Sequence, residues 1–157
     1  MISPDAQLEA LLRLLLAGIA GAVIGLEREV EDKPAGVRTF GTVAMGAALF
    51  TIAPAIAFPD QPDSAARVAA QIVTGIGFLG AGTIIQVQDR VEGLTTAAGI
   101  WAVAAVGMSF GFGLYILGAG ATAILLLGIV TVGQVMPHSG RKTGSDGSVT
   151  PPEPPTG

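Results

Sequence analysis

The 157-residue chain has no cysteine, one histidine, few aromatic side chains and little charge. Without cysteine, disulfides, thiolate nucleophiles and cysteine-held metals are all excluded. The lone His138 follows Pro137 at the start of a polar stretch, and a metal site needs several converging ligands, so it reads as a solvated side chain. Charged residues make up 13% of the chain, against roughly 25% in soluble domains. Eight basic and twelve acidic residues are too few to clothe a soluble domain of this length. A formal net charge of −4 and a pI near 4.7 leave no basic face for nucleic acid.

What the chain does have is apolar residues and glycine. Half of it is hydrophobic, the mean hydropathy is +0.65, and 23 residues are glycine. The length allows one domain, and the composition makes lipid its solvent. Charges divide the sequence into apolar runs. The first covers Leu14 to Leu26 and reaches back to Leu8 past Glu9 and Arg13, an acid-first i,i+4 pair suited to a helix. Thr39 to Pro59 and Val68 to Gln88 each match one crossing, which takes roughly 20 residues. Gly93 to Gly140 is too long for one crossing and breaks best at Ser109-Phe110-Gly111-Phe112-Gly113. An all-α membrane protein with five transmembrane helices is expected. The opening MISPDAQLEA is acidic where a cleaved signal would be basic, so the first helix is read as retained.

Basic residues set the orientation. Arg28, Lys33, Arg38, Arg90, Arg141 and Lys142 fall on one side, and Arg13 and Arg67 on the other. This bias places the N-terminus outside and the C-terminus in the cytoplasm. Residues 1–138 form the expected transmembrane domain, and 139–157, rich in Gly, Ser, Thr and Pro, a disordered cytoplasmic tail.

Gly75 to Gly82, GIGFLGAG, contains the G-x-G-x-x-G spacing of a dinucleotide loop. Such a loop follows a strand, opens a soluble helix and has an acid about 20 residues on. Here it lies inside an apolar run, and position 100 is Ile. The glycines are read instead as helix-packing positions, because small residues let membrane helices approach closely. Gly21 and Gly25 in the first span, Gly107 and Gly111 in the fourth, and Gly75, Gly77, Gly80 and Gly82 in the third are the candidates. The third span, with glycine or alanine on two faces, is expected to be central.

Polar residues near membrane depth are costly and mark candidate functional positions. Glu27, Arg28, Arg38, Thr39, Asp89, Thr95 and Thr96 gather at the inner ends of the spans, and Gln71 lies near the outer end of the third. Glu27 and Arg38 are the expected pair, with Thr39, Thr95 and Thr96 completing a network. Glu29, Glu31, Asp32 and Lys33 read as headgroup anchors. Magnesium would need oxygen ligands, and no acid lies within an apolar run, so no metal site or cofactor is expected. With no nucleophile–base constellation either, the chain does not read as an enzyme.

These segments carry a resemblance. GLERE, KPAGVRT, RVAAQIVTGIGFLGAGTII and VEGLTTAAGIWA, in that order, resemble the MgtC/SapB family of bacterial inner-membrane proteins, over roughly Leu8 to Gln134. The resemblance implies about five spans with an external N-terminus and a part in magnesium-limitation or acid-stress adaptation. It also implies regulation of membrane partners such as the F-type ATP synthase, or else ion transport as an oligomer. Many members of that family carry a soluble cytoplasmic domain after the spans. The expected partners are the lipid bilayer and other membrane proteins or further copies of the chain.

Overall fold

The computed structural model describes residues 3–88 and 90–135. They form five α-helices: α1 (Pro4–Val30), α2 (Val37–Ala57), α3 (Pro62–Ala81), α4 (Leu94–Gly111) and α5 (Tyr115–Val135). A short antiparallel hairpin of β1 (Ile85–Val87) and β2 (Arg90–Glu92) links α3 to α4. The expected tail, 139–157, lies outside the described residues, as do His138 and Asp89.

Local chemistry sets the helix ends. Ser3 caps α1 by accepting from the Ala6 amide at 3.3 Å, with Pro4 at the start and Asp5 in the first turn. At its other end Asp32 turns to φ 53°, so that the Asp32 amide reaches Glu29 O and the Lys33 amide reaches Arg28 O. Those two bonds make a Schellman motif. The same motif ends α4 at Gly113, φ 76°, where Gly113 and Leu114 donate to Phe110 O and Ser109 O. The long apolar run therefore breaks where its glycines and aromatics placed the turn.

The third run departs from expectation. It is helical only to Ala81; beyond Gly82 the β-branched Ile84, Ile85 and Val87 extend into the hairpin. Gly93, φ 87°, closes the hairpin base, and a Cβ there would collide with the Thr83 carbonyl.

The centre of the bundle is α1, α2 and α4, packed backbone against backbone. A Cβ on Gly21 would stand 2.8 Å from Ala44 Cβ, and one on Gly25 2.7 Å from Gly36 O. On α4, Gly107 lies against the Ala44 carbonyl, and Gly111 would meet Thr51 and Ala48. The matching order of Phe40 with Gly99, Ala44 with Gly107 and Ala48 with Gly111 makes α2 and α4 parallel, with α1 running against both. Phe40, Ile24, Ile100, Val103 and Val106 fill the rest of this core. The glycines of the first and fourth spans thus lie where helix backbones meet.

Of those in the third, Gly80 alone is buried against a neighbour, Ala97 of α4. A Cβ on Gly75 or Gly77 would meet nothing within 4 Å, one on Gly80 only an ordinary contact with Ala97, and one on Gly82 chiefly its own chain at Leu79 O. The third span is peripheral, lying on α2 and α4 with Ile76 as its buried apolar anchor. Helical periodicity shows which positions are small, but not which small positions meet a partner. Four of the five helices are long and apolar enough to cross a membrane, and α5 is apolar over Tyr115–Thr131. Their outward apolar side chains, such as Leu8, Leu15, Phe78, Ile116 and Ile124, are exposed. Lipid is the solvent that suits such a surface.

Candidate functional site

The end of the bundle that holds the α1–α2 link and the hairpin also gathers most of the polar candidates. It is built on the close approach of Gly25 to Gly36 and Val37, which brings the last turn of α1 beside the first turn of α2. Gly36, the residue before α2, supplies no side-chain cap. Glu29 supplies one instead: its Oε2 accepts from the Val37 amide at 3.0 Å. A carboxylate held at a helix N-terminus is favoured by both the free amide and the helix dipole. A Cβ on Gly36 would stand 2.6 Å from that oxygen, so a larger residue here would move the Glu29 side chain off its cap.

One residue back, Arg28 is 5% exposed, the most deeply buried charge among the described residues. Its Nε and Nη2 donate to Glu27 Oε2 and Oε1 at 2.5 and 2.7 Å. This replaces the expected pair of Glu27 with Arg38. Arg38 and Thr39 are exposed on the first turn of α2, and Arg38 has no ion-pair partner among the described residues. The reason is distance along the chain: Arg28 is tethered next to Glu27 and buried, so it takes both carboxylate oxygens.

The expected hydroxyl network does not form either. Thr96 is buried in the first turn of α4, Thr95 points outward, and neither they nor Thr39 bond to Glu27 or Arg38. Gln71 stands near the middle of α3, not near its outer end as expected, and apart from the other candidates. Asp89 lies outside the described residues.

A second polar cluster, at the opposite end, was only half legible. Glu9 and Arg13 form the i,i+4 pair that their spacing announces. Arg13 also donates through Nη1 to Gly111 O at 3.2 Å, and the Tyr115 hydroxyl donates to Glu9 Oε1 at 3.4 Å. Together they fasten α1 to the α4–α5 turn. Nothing in the local spacing pointed to these long-range partners. The burial of Arg28 and the capping by Glu29 were likewise missed, because a charge near a helix end usually means a solvated anchor.

Apolar helices of spanning length, lipid-suited outer faces and polar groups at their ends define a multi-pass α-helical membrane protein. The chain belongs to the MgtC family, whose profile matches residues 14–137. It is 45% identical over 125 residues to "Putative magnesium transporter YhiD" of Escherichia coli K12, covering 76% of this chain and 58% of that protein. It is 47% identical over 127 residues to Protein SrpB of Synechococcus elongatus, covering 73% and 70%. With Protein MgtC of Salmonella typhimurium the identity is 46% over 116 residues, 74% of this chain and 49% of that one. The chain thus spans 58% and 49% of YhiD and MgtC. No solved structure matches it.

Proposed function

We propose that this is a bacterial inner-membrane protein without catalytic activity, serving adaptation to magnesium limitation or acid stress by binding and regulating other membrane proteins. The F-type ATP synthase is the candidate target that the family resemblance implies. The observation that carries the reading is how the central helices close. α1, α2 and α4 meet at Gly21, Gly25, Gly107 and Gly111 with backbone on backbone, and apolar side chains such as Phe40, Ile100 and Val103 fill the space between them. The buried polar residues among those described are Arg28, Thr51 and Thr96, and the Thr51 hydroxyl is returned to Ala47 O at 2.8 Å. A divalent cation crossing the bundle would need oxygen ligands along its way. Meanwhile α3 and α5 offer broad apolar faces to neighbours in the bilayer.

Ion transport is the second reading, favoured by the printed name of the Escherichia coli relative. On that reading the passage lies between copies of the chain. Proteoliposomes containing only the purified protein separate the two. Saturable magnesium uptake overturns the regulatory reading. No uptake, together with co-purification of the ATP synthase from membranes and altered ATP hydrolysis, supports it.

A further inference from the structure

The loose seating of α3 leaves a cleft along the α2–α3 flank. Next to the α2–α3 loop it is a cavity of about 650 Å³, walled by Pro54, Phe58, Ser64, Arg67 and Gln71. Deeper along the same two helices lies a slot of about 500 Å³ between Gly46 and Phe50 on one wall and Gly75 and Leu79 on the other. Val68 and Gln71 line both, so the two are one continuous cleft. Its mouth carries the polar side chains of Ser64, Arg67 and Gln71 among apolar ones, and its depth is almost wholly apolar. Gly46 and Gly75 hold it open, since a Cβ on either meets nothing within 4 Å.

The charge at the mouth is specific. Arg67 donates through Nη2 to Ser64 Oγ at 3.2 Å, and among the described residues no carboxylate pairs with it. Asp60 and Asp63 are near in sequence but line neither part of the cleft. A guanidinium beside an amide suits a phosphate, to which it offers several fixed donors. The slot below suits a hydrocarbon chain.

We propose that this cleft binds an anionic phospholipid from the leaflet on the α2–α3 loop side. Arg67 and Gln71 take the headgroup phosphate, and one acyl chain lies between α2 and α3 over Gly46 and Gly75. An acyl chain leaving the bilayer for the slot only exchanges one apolar surrounding for another, so burial alone gives little selectivity. Headgroup charge therefore decides which lipid stays, and slot shape decides whether any does. A second copy's helix would fill the slot but leave the Arg67 charge unanswered, and a soluble phosphate would have no use for the slot.

The test uses the full chain, purified in mild detergent, stripped of lipid, and titrated with phosphatidylglycerol or phosphatidylcholine while bound lipids are counted by native mass spectrometry. Phosphatidylglycerol should be retained in preference. Arg67→Gln should weaken its binding roughly tenfold, the scale of a lost charge-assisted hydrogen bond, and weaken phosphatidylcholine, whose phosphate is offset by its own choline ammonium, distinctly less. Gly46→Leu and Gly75→Leu should each reduce the binding of both lipids. Because their sites are open, both should melt like the parent, and Arg67→Gln still decides the case if one does not. Glycerol phosphate should not compete. Equal binding of the two lipids, no loss in Arg67→Gln, or competition by glycerol phosphate would overturn the proposal. So would leucine variants that change the oligomeric state while lipid binding is kept, which would assign the cleft to a second copy.

Discussion

Arg28 meets both carboxylate oxygens of its neighbour Glu27, at 2.5 and 2.7 Å. Adjacent residues on a helix do not face one another, so the two side chains must fold together to meet. They do so because the guanidinium is buried, its side chain 6% exposed against 17% for Glu27. Removing one member of a buried pair costs about 3–5 kcal/mol, because it strands the other charge. Glu27 keeps some access to solvent, so Glu27→Gln should cost about 1–3 kcal/mol by the same argument. A double-mutant cycle read by thermal melting in detergent should find coupling between positions 27 and 28 and none between 27 and 38. Coupling of Glu27 to Arg38 would restore the pair that the sequence suggested.

Arg38, exposed and unpaired among the described residues, should then separate stability from function. Arg38→Gln is expected to melt like the parent yet fail to restore growth of a deletion strain at low magnesium. Full complementation would remove Arg38 from the candidate site.

Glu29 should behave as a helix cap although it belongs to the preceding helix. Losing a side-chain cap costs about 0.5–2 kcal/mol, and Glu29→Ala should fall in that range. Hydrogen exchange should show the Val37 amide losing protection first. An unchanged melting temperature and unchanged exchange would mean that the 3.0 Å contact contributes nothing.

The glycines separate into two classes that the sequence does not distinguish. Gly107→Leu and Gly21→Leu push side chains into the backbone of α2, and overpacking of this kind costs about 1–3 kcal/mol or more. Gly77→Leu points into open space and should be silent in the same assay. Equal loss from all three substitutions would mean that α3 is packed after all.

Orientation is testable independently of packing. Single cysteines at Gln61, in the α2–α3 link, and at Lys33, in the α1–α2 link, should react with an impermeant thiol reagent from opposite sides of the membrane. The basic bias places Gln61 outside. Labelling of both from one side would contradict the expected topology.

Much of the architecture could be read in advance because lipid imposes simple rules. Run length between charges located the helices, and the Phe–Gly break between α4 and α5 fell where it was expected. The end of α3 was misjudged because apolar character continues through Ile84, Ile85 and Val87. Hydropathy cannot tell an apolar helix from an apolar strand; β-branching was the available signal. At the site, the sequence showed which charges lie near one end of the bundle, but not which is buried. Arg28 outcompetes Arg38 for Glu27 through burial, a tertiary property. The role of Glu29 rests on Gly25 allowing α2 to start alongside α1, a contact between separate elements.

The place of α4 also bears on how the chain is assembled. Synthesis runs from the N-terminus, so α1, α2 and α3 are all made before α4. The strip of α2 that will receive Gly107 and Gly111, at Ala44 and Ala48, must wait uncovered while α3 and the hairpin are made. α3 must therefore enter the bilayer without occupying that strip. Its shallow seating is what an early arrival needs if the later helix is to reach the centre. A variant that bound α3 more tightly to α2 at Ala44 would then be a kinetic trap, shutting out α4 while leaving every helix in the membrane.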